Sequence, residues 1–337
     1  MRLSVIETIP NDTWWLEFVH FPKQLYTTEE YHRVDAVPLE GVDGHCLLAL
    51  EDDKAVGRCV VFANRRTGDD KDRFATVGYY ECKPQSFYAR RLLQEAESIA
   101  RKWGVKSIVG PVNGFSSWDV YRFKSHNHKK AFLLENHNLD YYSFQWEENG
   151  FQPIKRYYSH RIDQVIFDSD VLIALSKEML AKGFQIEPFF TDHPERELEA
   201  LYPLVMNAFS SAFLFQWISK SEFVARYQKA LPLIQTDYVL IAKNKNSEPI
   251  GFLFAYPDLL DRTGKTLVVK TLVRNSNQEY KGVGQWLSNE LMRNAGKSGI
   301  ETVIPAYMAE DARSHFTASL FNSKQATEYL LFSKDVY

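Results

Sequence analysis

TLVVKTLVRNSNQEYKGVGQWLSNELMRNAGKSGIETVI, residues 266–304, reads as a strand, a glycine-bearing loop, an amphipathic helix and a second short strand. A strand–helix–strand crossover of this length lays two strands parallel in one sheet. Gly282 and Gly284 fall where the helix begins. Glycine there lets backbone N–H groups approach an anion, and the helix N-terminus adds positive potential. Lys281 adds a charged donor beside them. A G-x-G at such a junction is also ordinary tight-turn chemistry, so spacing alone leaves both readings open.

The same order of elements occurs earlier in the chain. Residues 88–109, YARRLLQEAESIARKWGVKSIV, match residues 284–304 as an amphipathic helix closed by a glycine (Gly104, Gly299) and followed by a β-branched strand. FATVGYYEC (74–82) precedes the first helix as TLVVKTLVR (266–274) precedes the second. Two hairpins, CLLALEDDKAVGRCVVF (46–62) and VLIAKNKNSEPIGFLFAY (239–256), bring Gly57 and Gly251 into correspondence. Elements that agree in register at an offset near 195 imply duplication of one fold. The expected domains are 1–165 and 166–337, joined near 163–183, where Leu172, Leu175, Met179 and Leu180 are spaced for a helix.

Composition agrees with two ordinary globular domains. The chain has 337 residues, 45% of them hydrophobic and 25% charged. A net charge of −3 leaves no basic footprint for nucleic acid. Cys46, Cys59 and Cys82 lack CxxC spacing and are odd in number, which fits a reducing compartment and excludes a zinc ribbon. No basic segment followed by an apolar core opens the chain, and no apolar run approaches the roughly 20 residues of a membrane span. The expectation is a cytoplasmic protein without nucleic-acid or membrane partners; its oligomeric state is left open.

Residues 267–304 resemble the central motif of the GNAT N-acyltransferases, which carry Arg/Gln-x-x-Gly-x-Gly/Ala between their fourth strand and third helix. Lys281-Gly282-Val283-Gly284 matches the glycine half. The first motif position falls on Glu279, with Gln278 one place early. In the other half, residues 78–114 resemble the corresponding stretch of bacterial double-GNAT proteins, and ENGF (148–151) resembles the family's E-K-x-G-F helix ending. The resemblance implies an α/β (α+β mixed-sheet) fold with two GNAT-like domains in tandem. Each would be a mostly antiparallel sheet with a central parallel strand pair, flanked by helices.

The resemblance also implies a chemistry: attack of an amine on the thioester of acetyl-CoA or another acyl-CoA, with a small amine or amino-acid-like acceptor. The backbone of Leu272, Val273 and Arg274 would pair with the pantetheine arm. Glu279, Tyr280, Lys281, Gly282, Val283 and Gly284 would hold the pyrophosphate. An alkylammonium of pKa ~10 must lose a proton before it can attack. The family's acid is often a tyrosine on the fourth helix, here within residues 309–322, which contain none. Tyr307 and His315 are the candidates to stand in, and Glu301 is a further possible base.

At the same offset the first half has Phe87 and Ala89 in place of the two glycines, so it is expected to be a degenerate domain that does not hold CoA in this manner. Its own feature is a long aromatic insertion, 115–147, which either lines a pocket, covers the second cleft or packs structurally. His126, His128 and His137 lie in it without the cysteines or paired carboxylates of a metal site, so no metal is expected. Two other functions stay open: a non-catalytic acyl-CoA-binding or regulatory protein, and an aminoacyl-tRNA-dependent ligase, which the acidic charge disfavours.

Overall fold

The computed structural model describes residues 2–63, 74–125 and 130–336. It falls into two units: Met1–Lys129, Leu134–Arg156 and Glu328–Tyr337 form the first, and Lys130–Leu133 with Tyr157–Thr327 the second. Where the sequence suggests one boundary between 165 and 166, the units change over at Arg156, and the last ten residues return to the first unit.

The first half runs β1 (Leu3–Thr8), α1 (Trp15–His20), α2 (Thr28–Tyr31), β2 (His45–Glu51), β3 (Lys54–Ala63), β4 (Phe74–Cys82), α3 (Ser86–Lys102) and β5 (Ser107–Gly110). It continues with β6 (Phe123–Lys124), α4 (Tyr142–Glu148) and β7 (Gln152–Arg161). The second half runs α5 (Asp170–Ala181), β8 (Gln185–Pro188), α6 (Pro194–Phe209), α7 (Lys220–Gln228), β9 (Val239–Lys243), β10 (Pro249–Pro257) and β11 (Thr266–Arg274). Then come α8 (Val283–Lys297), β12 (Thr302–Pro305), β13 (Met308–Ala309), α9 (Ser314–Ser319) and β14 (Lys324–Asp335).

In the first unit the strands lie in the order β1-β2-β3-β4-β5-β14-β7. The pair β4–β5 is parallel, bridged by the α3 crossover, while β1–β2, β2–β3, β3–β4 and β5–β14 are antiparallel. Period-two alternation splits β2 between two cores. Leu47 and Ala49 join Leu92, Leu93 and Ala96 of α3, whereas Cys46, Leu48 and Leu50 meet Trp15, Phe18 and Phe21 on the other face. The three cysteines are free and buried. β14 contributes Leu330 and Phe332 to the α3 core, beside Trp146 and Phe151.

The second unit repeats the plan with the order β12-β11-β10-β9-β8, in which β11–β12 is the parallel pair and the rest antiparallel. β10 is buried along nearly all its length, as befits a strand covered on both faces. Val283, Leu287 and Leu291 of α8 cover one side, and Leu172 and Met179 of α5 join that core. The linker helix thus packs, but Leu180, counted with its apolar stripe, is 60% exposed; residues 172, 175 and 179 share a face and 180 lies off it.

The repeat extends to single contacts. A Cβ on Gly57 would touch Leu92 at 3.4 Å, and one on Gly251 would meet Leu287 at 2.9 Å. Each crossover helix therefore rests close on a hairpin glycine. The central strand of each unit also pairs irregularly, between Arg58 and Val60 against β4 and between Phe254 and Ala255 against β11.

The 115–147 insertion is built into the fold. Lys124 and Glu135 form a buried pair 2.8 Å apart, and the Tyr329 hydroxyl donates to the other Glu135 oxygen at 2.6 Å. His137 is half-buried, and desolvation pushes its imidazole down to about 4. His126 and His128 lie outside the described residues.

Candidate functional site

β11 and β12 diverge. Their pairing runs from Thr266↔Thr302 to Val269↔Pro305 and ends where the Ala306 N–H donates to the Val269 carbonyl at 3.0 Å. At that point β11 bulges: Phe254 faces Thr271 and Ala255 faces Val269, leaving Lys270 as the extra residue. Residues 271–274 keep β10 on one side, opposite Phe254 to Gly251. A splayed parallel pair offers the main-chain donors and acceptors of one edge to a ligand.

The loop that follows is tightly specified by its own polar groups. Asn275 Oδ1 accepts from the Asn277 N–H at 3.0 Å, and Asn277 Oδ1 accepts from the Glu279 N–H at 3.1 Å. The Arg274 guanidinium donates to the carbonyls of Asn275 and Asn277 at 2.5 and 3.2 Å, clamping the turn. Tyr280 lies against Phe184 with ring centroids 5.6 Å apart. Gly282 caps α8 with φ +98° and ψ −19°, a backbone state that side-chain-bearing residues rarely adopt.

A cleft of about 530 Å³ opens between this loop and α9. Leu272, Val273 and Arg274 form its floor at the end of β11. Gln278, Lys281, Gly282, Gly284 and Gln285 form one wall, and Arg313, at the N-cap of α9, with Ser314, Phe316 and Thr317 of that helix the other. Burial, and then the charge of Arg313, hold Arg274 below its ordinary value. Among the described residues no carboxylate pairs with Arg274, Lys281 or Arg313. The cleft is therefore cationic and apolar at once, with a helix N-terminus of 15 residues opening into it.

The two glycines serve different ends. A Cβ on Gly282 would lie 2.7 Å from Leu175 Cδ1, and the positive φ already selects glycine. Gly284 sits in the first turn of α8, and a Cβ there would meet nothing within 4 Å. The fold requires Gly282; only an occupant of the cleft would require Gly284.

Six of the residues expected to bind a cofactor come together on this cleft: Leu272, Val273, Arg274, Lys281, Gly282 and Gly284. Glu279 is exposed in the turn, Tyr280 packs on Phe184, and Val283 is fully buried under β10. Tyr307 and His315 are elsewhere. Tyr307 has φ +57°, lies against Phe132 and stands 4.5 Å below the Lys270 ammonium. His315 Nε2 donates to the Ala309 carbonyl at 2.9 Å, and its Nδ1 lies 3.3 Å from His160 Nε2. His160 is in turn bonded through Nδ1 to Ser323 Oγ at 3.0 Å, and burial followed by His315 lowers its pKa. Glu301 is an exposed carboxylate paired with Lys265. Sequence reasoning missed the α9 wall; the readable sign was a cation and an aromatic three residues apart, Arg313 and Phe316, in the segment searched for a tyrosine.

The first unit fills the corresponding place with its own chain. The Tyr79 N–H, at a bulge residue of φ +48°, donates to Asn113 Oδ1 at 2.6 Å, and Asn113 Nδ2 donates to Asp35 at 2.9 Å. The Val112 N–H donates to Val77 at 2.8 Å, and a Cβ on Gly78 would run into the Val112 carbonyl. α3 begins at Ser86, two residues earlier in the repeat than α8, so Phe87 and Ala89 lie inside its first turn. Ser86 Oγ donates to Glu148 at 2.6 Å, which brings one of the unit's own carboxylates to that helix end.

No protein-family model matches this chain, and no curated protein matches it in sequence. Solved structures match it in fold. A GCN5-related N-acetyltransferase from Sphaerobacter thermophilus aligns over 99% of this chain and 96% of its own, at 12% identity and a TM-score of 0.55. A tandem GNAT protein from the clavulanic acid biosynthesis pathway aligns over 100% and 99%, at 11% identity and 0.54. The GCN5-related glucosamine N-acetyltransferase region of a fungal multi-domain GH3 β-N-acetylglucosaminidase aligns over 99% of this chain at 12% identity and 0.58; there the chain spans 38% of the longer protein. With two like-folded units, a splayed central strand pair and alignments that run its whole length, the chain has the tandem GNAT fold.

Proposed function

We propose that the second unit binds an acyl-CoA, acetyl-CoA in the first place, and directs its acyl group to the amine of a small molecule. The observation that carries this is Gly284: it leaves open space on a cationic cleft, at a helix N-terminus, where the fold itself has no need of glycine. The α8 N–H groups and Lys281 suit a pyrophosphate, and the edge of residues 271–274 away from β10, unpaired among the described residues, suits an amide-bearing arm. The thioester supplies an acyl carbon open to attack. The amine nitrogen bonds to that carbon, the carbon–sulfur bond breaks, and the amine proton ends on the departing sulfur. The backbone N–H groups at the β11 bulge, beside Lys270, are the donors we assign to the developing oxyanion. The first unit, its bulge amide already bonded to Asn113, serves as scaffold.

A second reading, an acyl-CoA-binding protein without turnover, is favoured by one observation: neither Tyr307 nor His315 lines the cleft. Calorimetric titration of acetyl-CoA into wild type and Gly284→Glu tests the binding. Wild type binds and the variant does not, at equal thermal stability. Failure of wild type to bind any acyl-CoA overturns the proposal. Release of free thiol with an amine panel then separates turnover from binding alone.

A further inference from the structure

His160 of β7 ties together two points of the segment that carries α9. Its Nε2 lies 3.3 Å from Nδ1 of His315, within the helix, and its Nδ1 lies 3.0 Å from Oγ of Ser323, beyond the helix end. His315 Nε2 is 2.9 Å from the Ala309 carbonyl, and Tyr158 packs edge-on against the His315 ring with centroids 5.9 Å apart. His160, His315 and Ser323 all belong to the second unit and stand outside the lining of the cleft.

The direction of every bond in this chain follows from its last member. A carbonyl only accepts, so His315 Nε2 carries a hydrogen. With that ring neutral its Nδ1 accepts, and His160 Nε2 donates to it. His160 Nδ1 is left as the acceptor, so the Ser323 hydroxyl donates to it. Burial, and then His315, lower the His160 pKa, which keeps that nitrogen free of a proton near neutral pH. A proton taken from Ser323 makes His160 an imidazolium whose Nε2–H already meets the His315 acceptor. A hydroxyl, a base beside it and a third group that fixes the base's tautomer are the parts of an activated nucleophile. Ser323 is half-buried at a turn, between exposed Asn322, of φ +54°, and exposed Lys324. Such a turn gives a small reagent access to the hydroxyl.

We propose that these three side chains form a second reactive site, with Ser323 as nucleophile, His160 as its base and His315 as a positioning residue, which takes the acyl group of small activated esters. Ser323 Oγ bonds to the acyl carbon while its proton passes to His160 Nδ1. The bond from that carbon to the departing alcohol's oxygen breaks, and His160 returns the proton to that oxygen. Water then repeats the sequence on the acyl-serine: its oxygen bonds to the carbon, its proton passes through His160 to Ser323 Oγ, and a carboxylic acid leaves. The site is independent of the acyl-CoA reading of the cleft.

The test is to label the full chain with a fluorophosphonate, map the label by mass, and follow hydrolysis of p-nitrophenyl acetate. Wild type is expected to carry the label on Ser323, and Ser323→Ala to lose both label and hydrolysis. His160→Gln retains a donor and an acceptor but takes no proton. It should label at least about 100-fold more slowly, the low end of general-base catalysis, at an unchanged melting temperature. In wild type the rate should rise with pH as His160 loses its proton and then level off. His315→Phe leaves the His160 tautomer unfixed and should lower that plateau. Wild type unlabelled at Ser323, hydrolysis that survives Ser323→Ala, an equal rate in His160→Gln, or a rate that climbs with hydroxide without levelling overturns the site. Should His160→Gln fold poorly, the wild-type pH profile decides alone. An unchanged plateau in His315→Phe overturns the part given to His315.

Discussion

Leu175 Cδ1 stands 2.7 Å from the point where a Cβ on Gly282 would lie, so the linker helix α5 presses on the cap of α8. Gly284, two residues on, meets nothing. The two glycines should therefore separate cleanly. Gly282→Ala is expected to lose about 1–3 kcal/mol, chiefly from the forced positive φ. Gly284→Ala is expected to keep or gain up to about 1 kcal/mol, as Gly→Ala does within a helix, while acetyl-CoA affinity falls at least about 10-fold. Denaturant titration and calorimetry on the pair read both quantities.

The Lys334 ammonium lies 2.6 Å from Glu97 across 237 residues of sequence, and Phe332 is fully buried among first-unit residues. Phe332→Ala should cost about 3–5 kcal/mol. Removal of residues 328–337 should abolish the packing of the first unit. Near-ultraviolet circular dichroism and limited proteolysis followed by mass mapping would show cleavage first within residues 1–156.

Asn113 supplies the acceptor for the Tyr79 bulge amide. Asn113→Leu leaves that N–H without a partner and should cost about 1–3 kcal/mol. Acetyl-CoA affinity should stay at the wild-type value, because the binding residues belong to the other unit. A Kd that changed more than twofold in a folded variant would show that the first unit takes part in binding.

Desolvation pushes His137 down to about 4 in the folded chain, from an ordinary value near ~6.5 in the unfolded one. Between those values the unfolded state holds more protons, so stability falls as pH falls through that window and levels off below it. The slope is a fraction of the full ~1.4 kcal/mol per pH unit, because the ring is only partly shielded. His137→Phe keeps a ring beside Tyr26, now 5.3 Å away, and should flatten the acid side of the stability profile between pH 6.5 and 4. Urea midpoints at three pH values would decide it.

Much of the architecture can be read from residue types alone. Period-two runs and the helices closed by Gly104 and Gly299 give both crossover units, because burying one face of each element dictates the pattern. Gly57 and Gly251 correspond in sequence because each backs a leucine of the crossover helix. The destination of residues 324–335 is different: an apolar run announces a strand but carries no mark of which sheet it joins. Asn113 reads as turn chemistry, since nothing local reveals a strand amide 34 residues away that needs an acceptor. Phe316 stands out in sequence only by its three-residue spacing from Arg313, and the three-dimensional wall is what shows it facing open space.

The placement of β14 between β5 and β7 has a consequence for synthesis. Chains emerge from the ribosome at roughly 5–20 residues per second, and N-terminal domains usually fold first. Here the first-made unit cannot close its sheet until residues 328–335 have been translated. The later-made unit can finish ahead of it. For those intervening seconds the edge of β5 is an unfilled slot on the nascent chain, open to chaperones or to a neighbouring polypeptide's strand, and the unit first in sequence is last to be sealed.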